Sequence, residues 1–398
     1  TPAPANHIGP WPAVFDPLVL YTLNLQLDPN DWDTIRRDTT NTIEVPALFW
    51  ADGDEPILVS VRRKSSRALP SESNPIKVGL KVDINELVGG QTWYGLTKVS
   101  LENGADSGVL EEGLAWYMHN RATEVLGDPY PSGHASWVRV NVNGAYIGLY
   151  VNAEQRDKQA LRKRGLWQSG ATWLYEQLGG ARSPSRKAAR TAPRWGTSAT
   201  YRSDRRRDRV RSPTTTPSPR TSTLGSTWTA SLAQCAGEAL SDNADALCTH
   251  GKNAFFADFS LERMTSEGRR RIYLPWDLDQ VFRSPNSNMY ASGTTKKGGR
   301  NFAQNPYEQV ILNHPEFRAR YNALILSLTE PGNGALSQAP LHAFLDDLRL
   351  LLSDAMADDP YPAPSVGGGF DGLRAFVTQR IDSVRAQAIA NTNPPPRP

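Results

Sequence analysis

Apolar and polar positions change period several times along this chain, and each change predicts an element. Residues 18–26, Leu-Val-Leu-Tyr-Thr-Leu-Asn-Leu-Gln, read as a strand, and Asp28-Pro29-Asn30-Asp31 carries the cap and first-turn chemistry of a short helix. Val59–Arg63 and Ile76–Ile84 alternate and predict two strands, joined by a polar loop carrying Ser65, Ser66, Pro70 and Ser71. Leu96–Leu101 predicts another short strand. From Asp106 or Ser107 the period lengthens. Leu110, Leu114, Tyr117, Met118 and Arg121 fall three and four apart, the spacing of a helix running to about Leu126. Trp137, Val138, Val140 and Val142 then lead into Asn143-Gly144, and Tyr146, Ile147, Leu149 and Tyr150 lead out. Asn-Gly between two apolar runs is the strongest short-range hairpin signal. Arg156–Gly165 reads as a short basic helix ending on glycine.

Further on, Leu232, Cys235, Ala239 and Leu240 restore helical spacing, and Asn253–Phe259 with Arg271–Leu274 predict a strand pair. Residues 306–328, 336–356 and 370–390 predict three closing helices, with Gly367-Gly368-Gly369 between the last two. Between these halves, residues 181–223 have almost no apolar periodicity and predict a disordered or poorly packed insert. That stretch also holds the charge. It carries twelve Lys or Arg, eleven of them Arg, against two Asp, so the chain's net +3 leaves about −7 on the other 355 residues. Two readings fit it: a genuine basic insert for an acidic or anionic partner, and a local frame error in the gene.

The 398 residues suffice for one large or two modest domains. No run approaches the eighteen or so apolar residues of a spanning helix. The Thr-Pro-Ala-Pro-Ala start has no signal-peptide character, which implies that any signal peptide is already removed. Cys235 and Cys248 form either one bridge or two thiols. The richest local chemistry is Tyr273-Leu-Pro-Trp-Asp-Leu-Asp-Gln280. Pro275 tends to end a strand. If the backbone stays extended beyond it, Asp277 and Asp279 point the same way. Two carboxylates facing one space repel unless a hard cation such as Mg²⁺, Mn²⁺ or Ca²⁺ sits between them.

Several stretches together resemble the CotH (spore coat protein H) family of secreted atypical protein kinases. They are Val61–Asn85, Gly95–Leu114, Trp137–Leu161, Asn243–Phe256 and Tyr273–Phe282. The hairpin followed by Glu154 and the Leu-Pro-Trp-Asp-Leu-Asp run are the specific parts. The resemblance implies an α+β, protein-kinase-like fold with a mainly antiparallel N-lobe and a helical C-lobe. On it, 1–17 is a Pro-rich lead, 18–155 the N-lobe, 156–180 the lobe connection, 181–223 the insert and 224–392 the C-lobe with the metal site.

The resemblance also implies phosphoryl transfer, in which the protein positions a nucleotide, neutralises its phosphates and aims an acceptor hydroxyl. Asp277 falls at the Mg²⁺-binding Asp, Asp279 is a second carboxylate, and Asn253 is a further metal ligand. Asp245 falls where the proton of the acceptor hydroxyl is taken. Lys77 is expected to meet phosphate, with Lys81 on the same face and Lys98 as a rival. Glu112 is expected to pair with that lysine, Glu154 to run into the adenine hinge, and Ser65 and Ser66 to sit in a loop over the phosphates. Lys64 stands where that loop usually has glycine. The implied function is ATP- and Mg²⁺- or Mn²⁺-dependent phosphorylation of protein Ser or Thr, by a secreted or cell-surface protein. The alternatives are a non-catalytic coat or adhesion protein on the same fold and a Ca²⁺-stabilised binding domain.

Overall fold

Alternation of apolar residues closes seven strands into a barrel in this computed structural model, which describes residues 13–124, 133–177, 223–251, 253–260, 271–290, 312 and 314–391. The strands are β1 (Tyr21–Gln26), β2 (Val45–Ala51), β3 (Ile57–Pro70), β4 (Pro75–Asp83), β5 (Lys98–Glu102), β6 (Ala135–Val142) and β7 (Ala145–Ala153), ordered β1-β2-β3-β4-β5-β7-β6. Neighbours are antiparallel except for β1 and β6, whose parallel pairing (Tyr21 opposite Val138) closes the ring. Every second residue points inward, so Leu23, Phe49, Val59, Val61, Val78, Leu80, Val82, Val138 and Val140 fill the interior. Asn143 and Gly144 both have positive φ, 51° and 79°, as the two-residue turn between β6 and β7 requires.

Within the barrel, two strand assignments differ from expectation. β2 was not anticipated, and it holds Pro46, a residue disfavoured in a strand between two others. Its position resolves this: β1 pairs only with residues 48–51, so the missing N–H of Pro46 lies beyond the end of β1. The expected loop at Ser65 and Ser66 is instead part of β3, which runs on to Pro70. The ladder slips there. Arg63 pairs with Leu80 and Ala68 with Val78, leaving Lys64 to Arg67 opposite the single residue Gly79. A Cβ on Gly79 would stand 3.4 Å from that of Ser65 and 3.7 Å from that of Lys64, so the bulge is seated on a bare backbone.

Helix α1 (Pro29–Arg37) opens on Asp28, whose carboxylate accepts from the Asn30 N–H at 2.7 Å. Helix α2 (Val109–Glu124) packs on the outside of β6 and β7. It is buried on almost every side, because the barrel covers one flank and the helices below cover the other. Gly113 permits the approach, since a Cβ there would fall 2.2 Å from the Trp137 ring. Asp157 caps α3 (Lys158–Lys163). A second sheet, ordered β10-β9-β8, is built from β8 (Thr172–Gln177), β9 (Ala254–Phe259) and β10 (Arg271–Pro275). Of these β8 was not anticipated. Helices α4 (Thr223–Leu240), α5 (Leu247–His250), α6 (Pro315–Leu328), α7 (Gln338–Ala357) and α8 (Gly369–Ala390) complete the chain. One apolar cluster joins α2 and β7 to α4, α6, α7 and α8.

Cys235 on α4 and Cys248 on α5 form a disulfide, Cα–Cα 5.9 Å, which settles their two possible states. The chain is thus mixed α/β, with a sheet-rich first part and a helical remainder. The Arg-rich stretch lies outside the described residues up to 222. Among the described residues no helix is long and apolar enough to cross a membrane.

Candidate functional site

The outer face of β3 meets the loop after β10 where Lys64 on the β3 bulge packs over Trp276, with cations on the barrel side and carboxylates on the loop side. The carboxylate wall is rigidly tied. Trp276 N–H donates to the Asn253 carbonyl at 3.1 Å, Ala244 N–H to the Gln280 carbonyl at 3.0 Å, and Phe282 N–H to the Ser241 carbonyl at 2.8 Å. The Ser107 hydroxyl donates to the Asp279 carbonyl, and Leu278, Val281 and Phe282 anchor the loop in the core. Asp277 is not extended: its φ is 59°, in the left-handed region. The two aspartates still converge, but through a turn rather than strand alternation. Burial pushes the Asp279 carboxyl well above the usual range, and the charges of Asp277 and Glu112 and a hydrogen bond to Asp106 add to it. Burial likewise raises Glu112, with Lys64 opposing and Asp277 and Asp106 adding.

The adjoining loop between α4 and α5 carries Asp245. Asn253, itself at φ 55°, donates from Nδ2 to Asp245 Oδ2 at 3.3 Å, and Asp245 N–H donates to Asn243 Oδ1 at 3.0 Å. Glu238 supports this segment from α4: it accepts from Cys248 N–H at 2.8 Å and from the Tyr273 hydroxyl. With the Cys235–Cys248 bridge, α5 is fixed to α4 immediately after Asp245. Asp245 and Asn253 thus form one pair that adjoins the Asp277 loop through the Trp276 N–H, while Glu112 on α2 is within electrostatic reach of Asp277 and Asp279.

The lysines are distributed differently from expectation. Lys77 does not reach the carboxylates. It is fully buried, ion-paired with Asp359 Oδ2 at 2.6 Å and lies 5.3 Å from the centre of the Tyr150 ring. Lys81 shares its side of β4, as its spacing implied, but stays among other cations. Burial and the neighbouring cations Arg62, Lys98 and Lys64 press its ammonium down to about 8. The lysine facing the acidic wall is Lys64, on the β3 bulge. It is paired with Glu102, lies 4.5 Å from the Trp276 ring centre, and is sensed most by Asp277, then Glu112, then Asp279. Ser66 lies in the same bulge.

The carboxylate of Glu154 is taken by scaffold. Burial would raise it, but Arg164 (2.5 and 2.8 Å) and Arg156 outweigh that and hold it at about 2. Beside its backbone lies a shallow depression lined by Leu96, Lys98, Gln155, Asp157 and Lys163, with room for about one water. Lys98 itself is ion-paired with Asp83.

Sequence reasoning missed Glu102, Asp106, Glu176 and the role of Lys64. Glu176, the last residue but one of β8, is half-buried and raised by burial, while Lys81 and Lys64 oppose and Asp277 adds. None of these had a local signal, because each is brought in by register or by a distant element.

The donor set fits a hard divalent cation: Asp277, Asp279 and Glu112 are oxygen ligands that crowd one another in a buried space. Among the described residues no three His, Cys, Asp or Glu side chains already stand at metal-binding spacing, so these carboxylates would have to draw closer around an ion.

Fold and site together define a mixed α/β protein in which cations of the barrel adjoin carboxylates of α2 and the loop after β10. The family model for CotH kinase protein matches residues 59–213 and 235–384, and the chain belongs to that family. The match runs into the Arg-rich stretch as far as 213, beyond the edge at 181 expected from the sequence. A search of curated proteins finds no match.

Proposed function

We propose that this protein is a kinase with a protein-kinase-like fold that transfers phosphate from ATP, with Mg²⁺ or Mn²⁺, to Ser or Thr of a protein. One observation carries the reading: Lys64, with Lys81, Arg62 and Lys98 as neighbouring cations, lies within electrostatic reach of Glu112, Asp277 and Asp279. A metal-bound polyphosphate is the ligand that satisfies both walls, its negative oxygens toward the lysines and its cation toward the carboxylates. Asp277 and Asp279, with Glu112 and Asn253, would hold the cation, which supplies charge neutralisation at the phosphate oxygens. Lys64 and Lys81 orient the phosphates. Asp245, held by Asn253 and Asn243, takes the proton of the acceptor hydroxyl. The backbone at Glu154, just past the end of β7, is where the base would meet the hinge.

The buried disulfide supports a secreted or cell-surface location. An acidic or anionic partner for residues 181–223 belongs to the same proposal. A second reading, a non-catalytic coat or adhesion protein, draws support from Lys64 being paired with Glu102.

The test is a thermal shift with ATP and Mn²⁺ on wild type and Asp277→Ala, followed by phosphate transfer to Ser-rich acceptors. A ligand at a hundred times its dissociation constant stabilises the fold by about 2.7 kcal/mol. Stabilisation lost in Asp277→Ala, and transfer lowered on the order of 10²-fold or more in Asp245→Asn, supports the kinase reading. Binding without transfer supports the second reading, and no binding removes the first.

A further inference from the structure

Arg156 sits where the barrel, α2 and the Asp277 loop meet. It stands two residues beyond Glu154, just past β7, and is 2% exposed. Its planar fork works in two directions. Nη1 donates to Glu154 Oε2 at 3.5 Å, on its own segment, and Nε donates at 3.2 Å to the carbonyl of Pro275, the last residue of β10. The guanidinium lies 5.0 Å from the centre of the Trp116 ring on α2, and Trp116 in turn meets Trp276 edge-on at 6.4 Å. Gly133, just before β6, closes the site from the barrel, since a Cβ there would fall 1.7 Å from Arg156 Nη2. Asn120 of α2 fixes that glycine by accepting its N–H at 2.9 Å. One buried cation therefore touches the end of β7, the end of β10, α2 and the entry to β6.

The residue after Trp276 is Asp277, at φ 59°. A non-glycine residue in the left-handed region persists only where its surroundings over-determine the backbone. The Trp276 N–H, bonded to the Asn253 carbonyl, ties the approach to that turn on one side, and the Pro275 carbonyl, held by Arg156, ties it on the other. We propose that Arg156 is a positioning residue for Asp277: it fastens the end of β10 to the segment after β7 and, through Trp116 and Trp276, holds the turn in which Asp277 stands. The task assigned to Asp277 rests on the kinase reading given above. Arg164 is the contrast. It takes the same Glu154 carboxylate, but its further bond runs back to the Ala160 carbonyl of α3 at 2.9 Å. Arginine suits the joint because its rigid fork donates in two directions while its flat face lies on an aromatic ring. A lysine ammonium would serve Glu154 and release Pro275.

The experiment is amide hydrogen exchange without nucleotide, followed by phosphate transfer with ATP and Mn²⁺, on wild type, Arg156→Lys, Arg164→Lys and Trp116→Phe. Arg156→Lys is expected to speed exchange over residues 276–282 on the order of tenfold, because the loop opens locally. Transfer per folded molecule should fall by a similar factor or more, since a small displacement of a reacting group is costly. Arg164→Lys also weakens the Glu154 pair and melts lower than wild type, yet leaves exchange over 276–282 and transfer near wild type. Trp116→Phe keeps both hydrogen bonds of Arg156 but shrinks the ring beneath it, and loosens the same residues to a smaller extent. That variant decides the matter if Arg156→Lys does not fold. Wild-type exchange over 276–282 in the Arg156 and Trp116 variants, or equal loosening by Arg164→Lys, overturns the role. A loosened loop with undiminished transfer overturns it too. Wild type that transfers no phosphate removes the kinase reading, and exchange alone then decides whether Arg156 holds the turn.

Discussion

Charges on the outside of the barrel fall into two regions that differ in one respect. Under the end of α7, Lys77 and Asp359 are matched: Asp359 Oδ2 also accepts Leu149 N–H at 2.9 Å, and Oδ1 accepts Tyr361 N–H at 2.9 Å. Glu154 between Arg164 and Arg156 is matched in the same way. Beside the Asp277 loop the charges are unequal. Lys81 is crowded by cations, while Glu112 and Asp279 are crowded by carboxylates. A buried charge with a full set of partners is a structural fastener, whereas buried like charges left in mutual conflict await a ligand. The difference separates two lysines on one strand, and it can be broken by measurement.

The largest expected effect is at Lys77. Lys77→Met leaves Asp359 buried without its cation and should cost about 3–5 kcal/mol in denaturant unfolding, with nucleotide affinity of the folded fraction unchanged. Gly148 shows how tightly the site closes, since a Cβ there would lie 2.5 Å from Asp359 Oδ1. The double change Lys77→Met/Asp359→Leu should recover much of the loss. A stable Lys77→Met protein that no longer binds nucleotide would reverse the assignment of the two lysines.

Glu154 gives the next effect, read through pH. Its carboxyl is held at about 2 against an ordinary 4.5, so the folded state favours the ionised form. The associated stability is complete above pH 4.5 and is lost as pH falls toward 2. At about 1.4 kcal/mol per pKa unit it amounts to roughly 3 kcal/mol. Glu154→Gln should flatten unfolding free energy against pH over that window. An unchanged slope would mean that the Arg164 pair does not hold the carboxylate.

The disulfide should contribute somewhat less, because the loop it closes is short. Cys248→Ser is expected to lower stability by roughly 2–3 kcal/mol. Since α5 follows Asp245 directly, transfer should fall more than nucleotide binding does. A parallel fall in both would make the bridge a general fastener rather than a support for Asp245.

Legibility in the sequence followed how local the determinants were. The Asn143-Gly144 hairpin, α2 and the last two helices rest on spacing within one segment and formed close to their expected bounds, whereas α6 begins at Pro315 rather than 306, and residues 306–311 lie outside the described residues. β2 was hidden by Pro46, whose tolerance depends on where β1 stops. On the acidic wall the motif at Asp277 and Asp279 was readable, and Asn253 and Asp245 came with the resemblance. The basic wall was not readable. Which lysine faces the Asp277 loop depends on a register slip of four residues against one, and on a partner 282 positions away in sequence. Neither leaves a mark in the local pattern around Lys64 or Lys77.

Lys81 supplies the smallest and most discriminating effect. It lies four residues from Lys77 on the same side of β4, yet its cationic neighbours Arg62, Lys98 and Lys64 oppose its charge. Lys81→Gln removes that repulsion and leaves no buried anion unpaired. Stability should stay within about 0.5 kcal/mol of wild type, or rise, where Lys77→Met falls by several. Affinity for ATP with Mn²⁺ should weaken instead, and the weakening should shrink as salt is added, because the lost contact is electrostatic. Loss of stability without loss of nucleotide affinity in Lys81→Gln would place this lysine with the fasteners and leave Lys64 alone to meet the phosphates.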